Sequence, residues 1–254
     1  MNIVPLRAFE DNYIWLLEHE RQITAVDPGD ATPVLDYLSG TGAELRAILV
    51  THHHGDHTGG IDALLARYPV PVFGPAHEPI PGLSDPLHEG DSVVLPGFSE
   101  SLQVIDVPGH TRGHIAYFGR GALFCGDTLF GCGCGRLFEG SAGQMWASLC
   151  KLMALPADTR VYCAHEYTQS NIRFARVVEP ENAALKSREA RVMEKRADGR
   201  GTVPFSLGEE LATNPFLRCA EAAVAAAAQH YVGRPLGGDV EVFAALREWK
   251  NNFR

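Results

Sequence analysis

The sequence lacks several features that mark whole classes of proteins. None of its apolar runs approaches the ~20 residues of a membrane-spanning helix. The N-terminal stretch MNIVPLRAFEDNYIWLL has no charged leader followed by a long apolar region and a small-residue cleavage site. Basic residues are scattered and the formal net charge is -9, which argues against binding to a nucleic-acid backbone. These absences predict a cytoplasmic protein with no membrane or nucleic-acid partner.

Cysteine is present but not in a pattern typical of a disulfide scaffold or a zinc knuckle. The chain has six cysteines and no export signal, so we expect reduced thiols. One residue separates Cys132 from Cys134, whereas zinc knuckles usually leave two to four. A glycine-rich loop is therefore the better interpretation of this segment.

The pattern of apolar residues divides the chain in two. Up to about residue 166, short apolar runs alternate with helical stretches at 32–38, 60–68 and 142–154, which predicts a layered α/β domain over residues 1–166. The runs read as strands are IWLLE, QITAVD, AILV, PVFG, LQVIDV, ALFCGD and TRVYCAH. Residues 167–254 predict a small all-helical domain, with Pro180 in the first turn of one helix and a Ser206–Glu209 capping box opening another. No low-complexity linker separates the two parts, so we expect them to pack tightly.

Residues of types that bind metal ions follow four of these predicted strands. AILV leads into THHHGDHTGG, LQVIDV leads to His110, ALFCG leads to Asp127, and VYCA leads to His165. Strand ends gather at one edge of a layered domain, so these side chains can meet there. In an extended segment His52 and His54 point the same way and His53 points elsewhere, and Gly55 would permit a tight turn that returns the next two residues to that edge.

The number of candidates indicates two ions. The ligand-type residues are His52, His54, Asp56, His57, His110, Asp127 and His165. Seven nitrogen and oxygen ligands are too many for one tetrahedral ion and suit two ions that share a carboxylate. The alternatives are a solvated histidine-rich loop, or a non-catalytic metal-stabilised module, although such modules tend to have closed sites with thiolates.

Three motifs resemble those of the metallo-β-lactamase fold superfamily. They are THHHGDHTGG, PGHT at 108–111 and GDT at 126–128. The resemblance implies an αββα sandwich with the site at one edge. It also implies that the first ion takes His52, His54 and His110, that the second takes Asp56, His57 and His165, and that Asp127 bridges them. Asp56 and Asp127 are then the catalytic carboxylates.

Further motifs extend this resemblance along nearly the whole chain. The segments 9–13, 133–140, 165–168, 202–204, 207–210 and 213–218 and the tail LREWKNNFR look like the hydroxyacylglutathione hydrolase (glyoxalase II) family. That family implies hydrolysis of the thioester S-D-lactoylglutathione to D-lactate and glutathione, the second step of methylglyoxal detoxification. The nucleophile would be a metal-bridged hydroxide, and thiolate is a good enough leaving group to need no general acid.

The resemblance also implies where glutathione binds. Arg247 and Lys250 match the family's carboxylate-binding tail, and Arg136 and Tyr167 match two further contact positions. Phe138 stands where the family often has tyrosine, so one hydrogen bond, about 1 kcal/mol, would be missing.

Several alternatives stay open at the level of sequence. A mononuclear-iron glutathione persulfide dioxygenase would normally lack the helical extension, a lactonase would lack the basic tail, and a β-lactamase with two zincs usually has cysteine where Asp127 stands. Zinc is the first choice of metal, with iron or manganese as alternatives. We expect a monomer, with His53 a bystander and His114 supporting the site from behind the ligands.

Overall fold

The structure is a computed structural model, and it describes residues 2–97 and 101–253. Met1 and Arg254, the outer ends of the two predicted domains, lie outside the described residues. Within this part of the chain, the strands form two six-stranded sheets and a small two-stranded ribbon.

The first sheet has the order β1-β2-β3-β4-β5-β6. Its first three strands are antiparallel, and the pairs from β3 to β6 are parallel. The strands are β1 (Asn2–Ala8), β2 (Asn12–His19), β3 (Gln22–Val26), β4 (Glu44–Leu49), β5 (Val72–Pro75) and β6 (Asp85–Leu87).

The second sheet has the order β14-β13-β10-β9-β8-β7, with β10 and β13 parallel and the other pairs antiparallel. Its strands are β7 (Ser92–Val94), β8 (Ser101–Asp106), β9 (Ile115–Gly119), β10 (Ala122–Gly126), β13 (Arg160–Cys163) and β14 (Phe205–Ser206). The ribbon consists of β11 (Leu129–Phe130) and β12 (Gly133–Cys134). Each of the seven runs read as strands from the sequence overlaps a strand of these sheets, although several runs extend one or two residues beyond it.

The two sheets face each other, and helices cover their outer faces. In β2, Trp15 packs into the core between the sheets, where its ring meets Tyr162 of β13 edge-on at 5.0 Å, whereas Leu16 packs under the outer helices. Helices α1 (Ala31–Thr41), α2 (Gly55–Thr58) and α3 (Ile61–Leu65) lie on the side of the first sheet, and α4 (Ala142–Met153) covers the second. Because strands buried on both faces need no polar alternation, they appear in the sequence as continuous apolar runs. The αββα sandwich is confirmed.

Helix caps explain where the covering helices begin and end. Asp30 accepts a hydrogen bond from the backbone N–H of Thr32 at the start of α1, which ends at Gly42 with φ of 66°. Ser141 and Gln144 form a reciprocal capping box at the start of α4. The helix predicted at 60–68 is shorter in the structure, where α3 spans only Ile61–Leu65.

The C-terminal segment is helical apart from β14, which pairs with β13 and so ties the segment to the second sheet. Its helices are α5 (Thr168–Val178), α6 (Ala183–Ala197), α7 (Leu207–Thr213), α8 (Ala222–Val232) and α9 (Asp239–Asn252). Pro180 is not in a first helical turn; Asn182 caps α6 instead, accepting from the N–H of Leu185. At α7, Ser206 accepts from the N–H of Glu209.

The two parts of the chain share one core. Phe243 of α9 packs against Trp146 of α4, and both belong to the cluster that extends between the sheets. Among the described helices, none combines the length and the apolar character needed to cross a membrane. The loops at the ends of β4, β8, β10 and β13 meet beside α5, and the candidate site lies there.

Candidate metal centre and substrate cavity

The first group of ligands consists of His52, His54 and His110, whose ligand nitrogens all lie within 4.8 Å of one another. Nδ1 of His54 lies 3.2 Å from Nε2 of His52 and 3.0 Å from Nε2 of His110. Two ligands about 2.0–2.1 Å from a tetrahedral zinc are about 3.3–3.4 Å apart. The three nitrogens therefore have close to the spacing that one ion requires.

The second group consists of Asp56, His57 and His165. Oδ2 of Asp56 lies 3.5 Å from Nε2 of each histidine. Helix α2 delivers Asp56 and His57 together. The predicted return of Asp56 and His57 to the site is observed, but Gly55 opens this helix without a positive φ and without steric crowding, so the return does not require glycine there. The glycine that the geometry does require is Gly29, where a Cβ would lie 1.8 Å from the carbonyl oxygen of Asp56.

Asp127 lies between the two groups with one oxygen toward each. Its Oδ1 lies 3.5 Å from Nε2 of His57 and 3.3 Å from Nε2 of His165, and its Oδ2 lies 3.3 Å from Nε2 of His110. In the described part of the chain, Nε2 of His57 and Oδ1 of Asp127 are buried polar atoms without a hydrogen-bond partner. Such atoms are costly unless something else satisfies them, so the donor set fits divalent cations.

The opposite ring nitrogens of the histidines are held by acceptors. Nδ1 of His57 lies 3.1 Å from Oδ2 of Asp27, Nδ1 of His165 lies 2.8 Å from Oδ1 of Asp11, and Nδ1 of His110 lies 2.9 Å from a backbone carbonyl. These contacts turn each Nε2 toward the centre of the site and fix the tautomer that binds metal. Asp27 and Asp11 were not predicted from the sequence as partners of these histidines, although Asp27 lies in the run QITAVD and Asp11 in the segment 9–13.

Burial and nearby charged side chains together set the pKa values of the candidate ligands. Burial, with nearby histidines, lowers the pKa of His52 well below its ordinary value, which keeps it neutral and able to bind metal. Burial alone would raise the pKa of Asp127, but His57 and His165 outweigh it and hold that pKa well below its usual range. Burial also lowers the pKa of His165, yet Asp127 and Asp11 raise it overall to about 9. An ion entering the second group must therefore displace a proton.

Two further histidines lie beside the ligands without joining either group. Nε2 of His114 accepts the backbone N–H of Asp127 at 3.1 Å, and its ring stacks on His52 at 4.5 Å, so it supports the ligands from behind. Ligand atoms of His53, His54 and Glu139 lie within 4.8 Å of one another, so His53 belongs to a separate, more exposed set and not to either group. Its Nδ1 lies 3.0 Å from Oε2 of Glu78, and its Nε2 lies 3.3 Å from Oε1 of Glu139.

A cavity of about 420 Å³ opens above the ligands, a volume within the range of small-molecule sites. All five residues predicted to contact substrate line it: Arg136, Phe138, Tyr167, Arg247 and Lys250. Phe138 is 62% exposed, and its ring meets that of His110 edge-on at 5.2 Å. Tyr167 stacks on His165 at 4.7 Å with an angle of 5° between the rings.

The segment that leads to Arg136 is glycine-rich, but it is not the simple loop expected from the sequence, because Gly133 and Cys134 form β12 and pair with β11. A Cβ at Gly135 would lie 1.9 Å from the carbonyl oxygen of Asp127, so only glycine fits there. Cys132 and Cys134 are buried free thiols. Arg188 and Glu210, both buried, pair beneath this segment, and Oε2 of Glu210 accepts the N–H of Cys132 at 2.8 Å.

The wall of the cavity formed by the C-terminal segment is basic. Arg247 is buried, donates from Nη1 to the carbonyl of Cys134 at 2.8 Å and lies over the ring of Phe216 at 5.0 Å. Burial, together with Arg247, Arg173 and Arg136, lowers the pKa of Lys250. In the described part of the chain, Lys250 and Arg136 have no carboxylate partner, so their charges are available to an anion. Sequence reasoning missed Arg173, because its contribution depends on how α5 and α9 pack.

Family models match both parts of the chain. The model for the metallo-β-lactamase superfamily covers residues 8–165, and the model for the hydroxyacylglutathione hydrolase C-terminus covers residues 166–253. Two hydroxyacylglutathione hydrolases illustrate the similarity. The one from Nitrosomonas europaea is 56% identical over 254 residues, covering 100% of this chain and 97% of that protein. The one from Alkalilimnicola ehrlichii is 56% identical over 251 residues, covering 98% of each.

Solved structures share the fold. A crystal structure of ETHE1 from Myxococcus xanthus has a TM-score of 0.68 and 25% sequence identity, with all of both chains covered. A protein named TTHA1623, in a di-iron-bound form, has a TM-score of 0.54 and 30% identity, covering 65% of this chain and 92% of that one. With both family models matched and full-length relatives above half identity, this chain belongs to the hydroxyacylglutathione hydrolase family, within the metallo-β-lactamase superfamily.

Proposed function

We propose that the chain hydrolyses S-D-lactoylglutathione to D-lactate and glutathione, using two divalent ions held by the two ligand groups. The observation that carries this proposal is the shared carboxylate of Asp127 at the base of a cavity whose C-terminal wall is basic. The relatives described above are named for hydroxyacylglutathione hydrolysis. A dinuclear site is supported by two ligand sets that share no residue, by the position of Asp127 between them, and by the di-iron form of TTHA1623.

When bound, two such ions would polarise the thioester carbonyl and lower the pKa of water toward about 7, so that hydroxide is available at neutral pH. The residues of the chain do the rest. Asn12 donates to Oδ2 of Asp56 at 3.0 Å and fixes the orientation of that ligand. The rings of Phe138 and Tyr167 border the cavity and pack against His110 and His165, so they help to orient these two candidate ligands.

The basic wall positions the tripeptide. Glutathione has two carboxylates, and Lys250 and Arg247 supply a point charge and a planar guanidinium to bind one of them. Nη1 and Nε of Arg247 are already engaged with Cys134 and Asn251, which leaves Nη2 for substrate. The departing sulfur can leave as thiolate, because free thiols have a pKa near about 8.5. The site therefore needs no proton donor beside the sulfur.

We further propose a cytoplasmic monomer that uses zinc, with iron or manganese as alternatives. The six cysteines are free, which suits a reducing compartment. All the predicted metal ligands and substrate contacts belong to one chain, so the proposed site needs no residue from a second copy. Imidazole and carboxylate ligands suit all three metals.

The decisive experiment combines a thioesterase assay on S-D-lactoylglutathione with metal analysis of the same purified sample. We expect two metal ions per chain, loss of activity with a chelator, and recovery when metal is restored. One tightly bound iron together with oxygen consumption on glutathione persulfide would refute the hydrolase and establish the dioxygenase instead. Metal-dependent folding without thioesterase activity would indicate a non-catalytic module.

A further inference from the structure

Glu78 is a buried carboxylate outside the ligand groups that contacts two ligand-bearing loops. It follows β5, and its side chain is 3% exposed. Its Oε2 accepts the backbone N–H of His53 at 2.7 Å and lies 3.0 Å from Nδ1 of the same residue. Its Oε1 accepts the backbone N–H of Gly113 at 2.9 Å and the hydroxyl of Thr111.

The donors flank the first group of ligands. His53 stands between His52 and His54, and Thr111 follows His110 directly. One carboxylate thus connects the 51–57 loop through one oxygen to the 108–114 loop through the other. The distance of 3.0 Å between ligand nitrogens of His54 and His110 depends on the relative position of these two loops.

Glu78 also packs closely against the second of these loops. A Cβ at Gly113 would lie 2.7 Å from Cγ of Glu78. The connection also continues outward, because Nε2 of His53 lies 3.3 Å from Oε1 of Glu139, whose Oε2 accepts the N–H of Arg112 at 3.1 Å. Glu139 belongs to the loop that carries Phe138, so the same chain of contacts reaches the rim of the cavity.

We propose that Glu78 is a positioning residue that sets the geometry of the first group of ligands by joining its two loops. The inference rests on the dinuclear site proposed above and not on the identity of the thioester. A carboxylate suits this role because both of its oxygens accept hydrogen bonds. A glutamine amide has one oxygen, so its NH₂ group would face donors on one of the two loops.

The test is the metal affinity of Glu78→Gln, with His77→Gln as the matched control. His77 is the preceding residue on the same loop and is exposed. Each ion's affinity would be measured by chelator competition with elemental analysis of the bound metal. Loss of a contact that orients ligands typically weakens metal binding about 10–100-fold. We expect a loss of this size for one of the two ions in Glu78→Gln and none in the control.

A second variant and a glutathione analogue separate an effect on metal affinity from an effect on folding or on substrate binding. Gly113→Ala displaces the Glu78 side chain without removing it and should weaken the same ion, so it serves if Glu78→Gln does not fold. Binding of S-methylglutathione, a thioether that cannot be hydrolysed, should stay within threefold of wild type, because the basic wall is intact. Retention of both ions at wild-type affinity would overturn the inference, as would equal loss of both ions and of S-methylglutathione. An inactive wild type would refute the proposed function and leave the metal result interpretable.

Discussion

Lys250→Met should weaken substrate binding and, at the same time, stabilise the free protein. Lys250 lines the cavity near Arg136, Arg173 and Arg247, and its pKa is lowered by burial and by these three like charges. Its ammonium lies 5.8 Å from the ring centroid of Phe174. Methionine keeps an apolar chain of similar length on this surface and removes the charge.

The expected size of the binding effect follows from the contact that is lost. A hydrogen bond to a charged group contributes about 1.5–3 kcal/mol, which corresponds to about 10- to 150-fold in affinity. Both carboxylates of glutathione are remote from its thioester, so the loss should raise KM and leave kcat nearly unchanged. Arg247→Ala should also raise KM, but it should lower stability too, because it leaves the Cys134 carbonyl without its buried donor.

The stability effect of Lys250→Met has the opposite sign. A lysine whose folded-state pKa is lowered costs stability below that pKa, and the cost disappears as the pH rises toward the unfolded value of about 10.4. Replacing it should therefore stabilise the free protein at neutral pH by about 0.2–1 kcal/mol, the range for partly solvated charge interactions. This advantage should shrink as the pH approaches 10.

The assay is steady-state hydrolysis of S-D-lactoylglutathione, together with urea unfolding at pH 7 and pH 10. Lys186→Met is the control, because Lys186 is an exposed lysine on α6 paired with Glu181. It should change neither KM nor the free energy of unfolding by a large amount. An unchanged KM in Lys250→Met, or a fall in kcat without a change in KM, would refute the assignment of Lys250 to carboxylate binding.

Three further predictions concern other parts of the site. Phe138→Tyr restores a hydroxyl at the rim and should lower KM by up to about fivefold, the equivalent of one hydrogen bond; a higher KM would contradict this. Glu210→Gln removes the buried charge partner of Arg188 and leaves it only the partly exposed Glu209 at 3.4 Å, so it should lower the free energy of unfolding by about 3 kcal/mol, as urea titration would show. In the metal-free protein, burial lowers the pKa of His165 but Asp127 outweighs it and raises the pKa to about 9. Affinity for the second ion should therefore increase about tenfold per pH unit up to that pH and level off above it, measurable by metal titration in a series of buffers.

Many strands of the core were predictable from the pattern of apolar residues along the sequence. The run ALFC is apolar throughout because both faces of β10 are buried, and each of the seven runs identified in this way overlaps a strand. Short strands such as β6 and β14 were not predicted, since two or three residues have no periodicity to read, and the longer β1 and β9 were missed as well. Pro180 was placed inside a helix on local preference alone, whereas Asn182 caps that helix through its side chain.

The sequence by itself determined which residues could bind metal, because imidazole and carboxylate side chains follow strand ends in a spacing that few other roles explain. Tertiary structure alone decided how they are held. The hydrogen bond between His165 and Asp11 joins residues 154 positions apart, and the bond between Thr111 and Glu78 joins residues 33 positions apart. Such partners have no fixed spacing along the chain. They meet only because the two sheets pack face to face and bring separate loops to one edge.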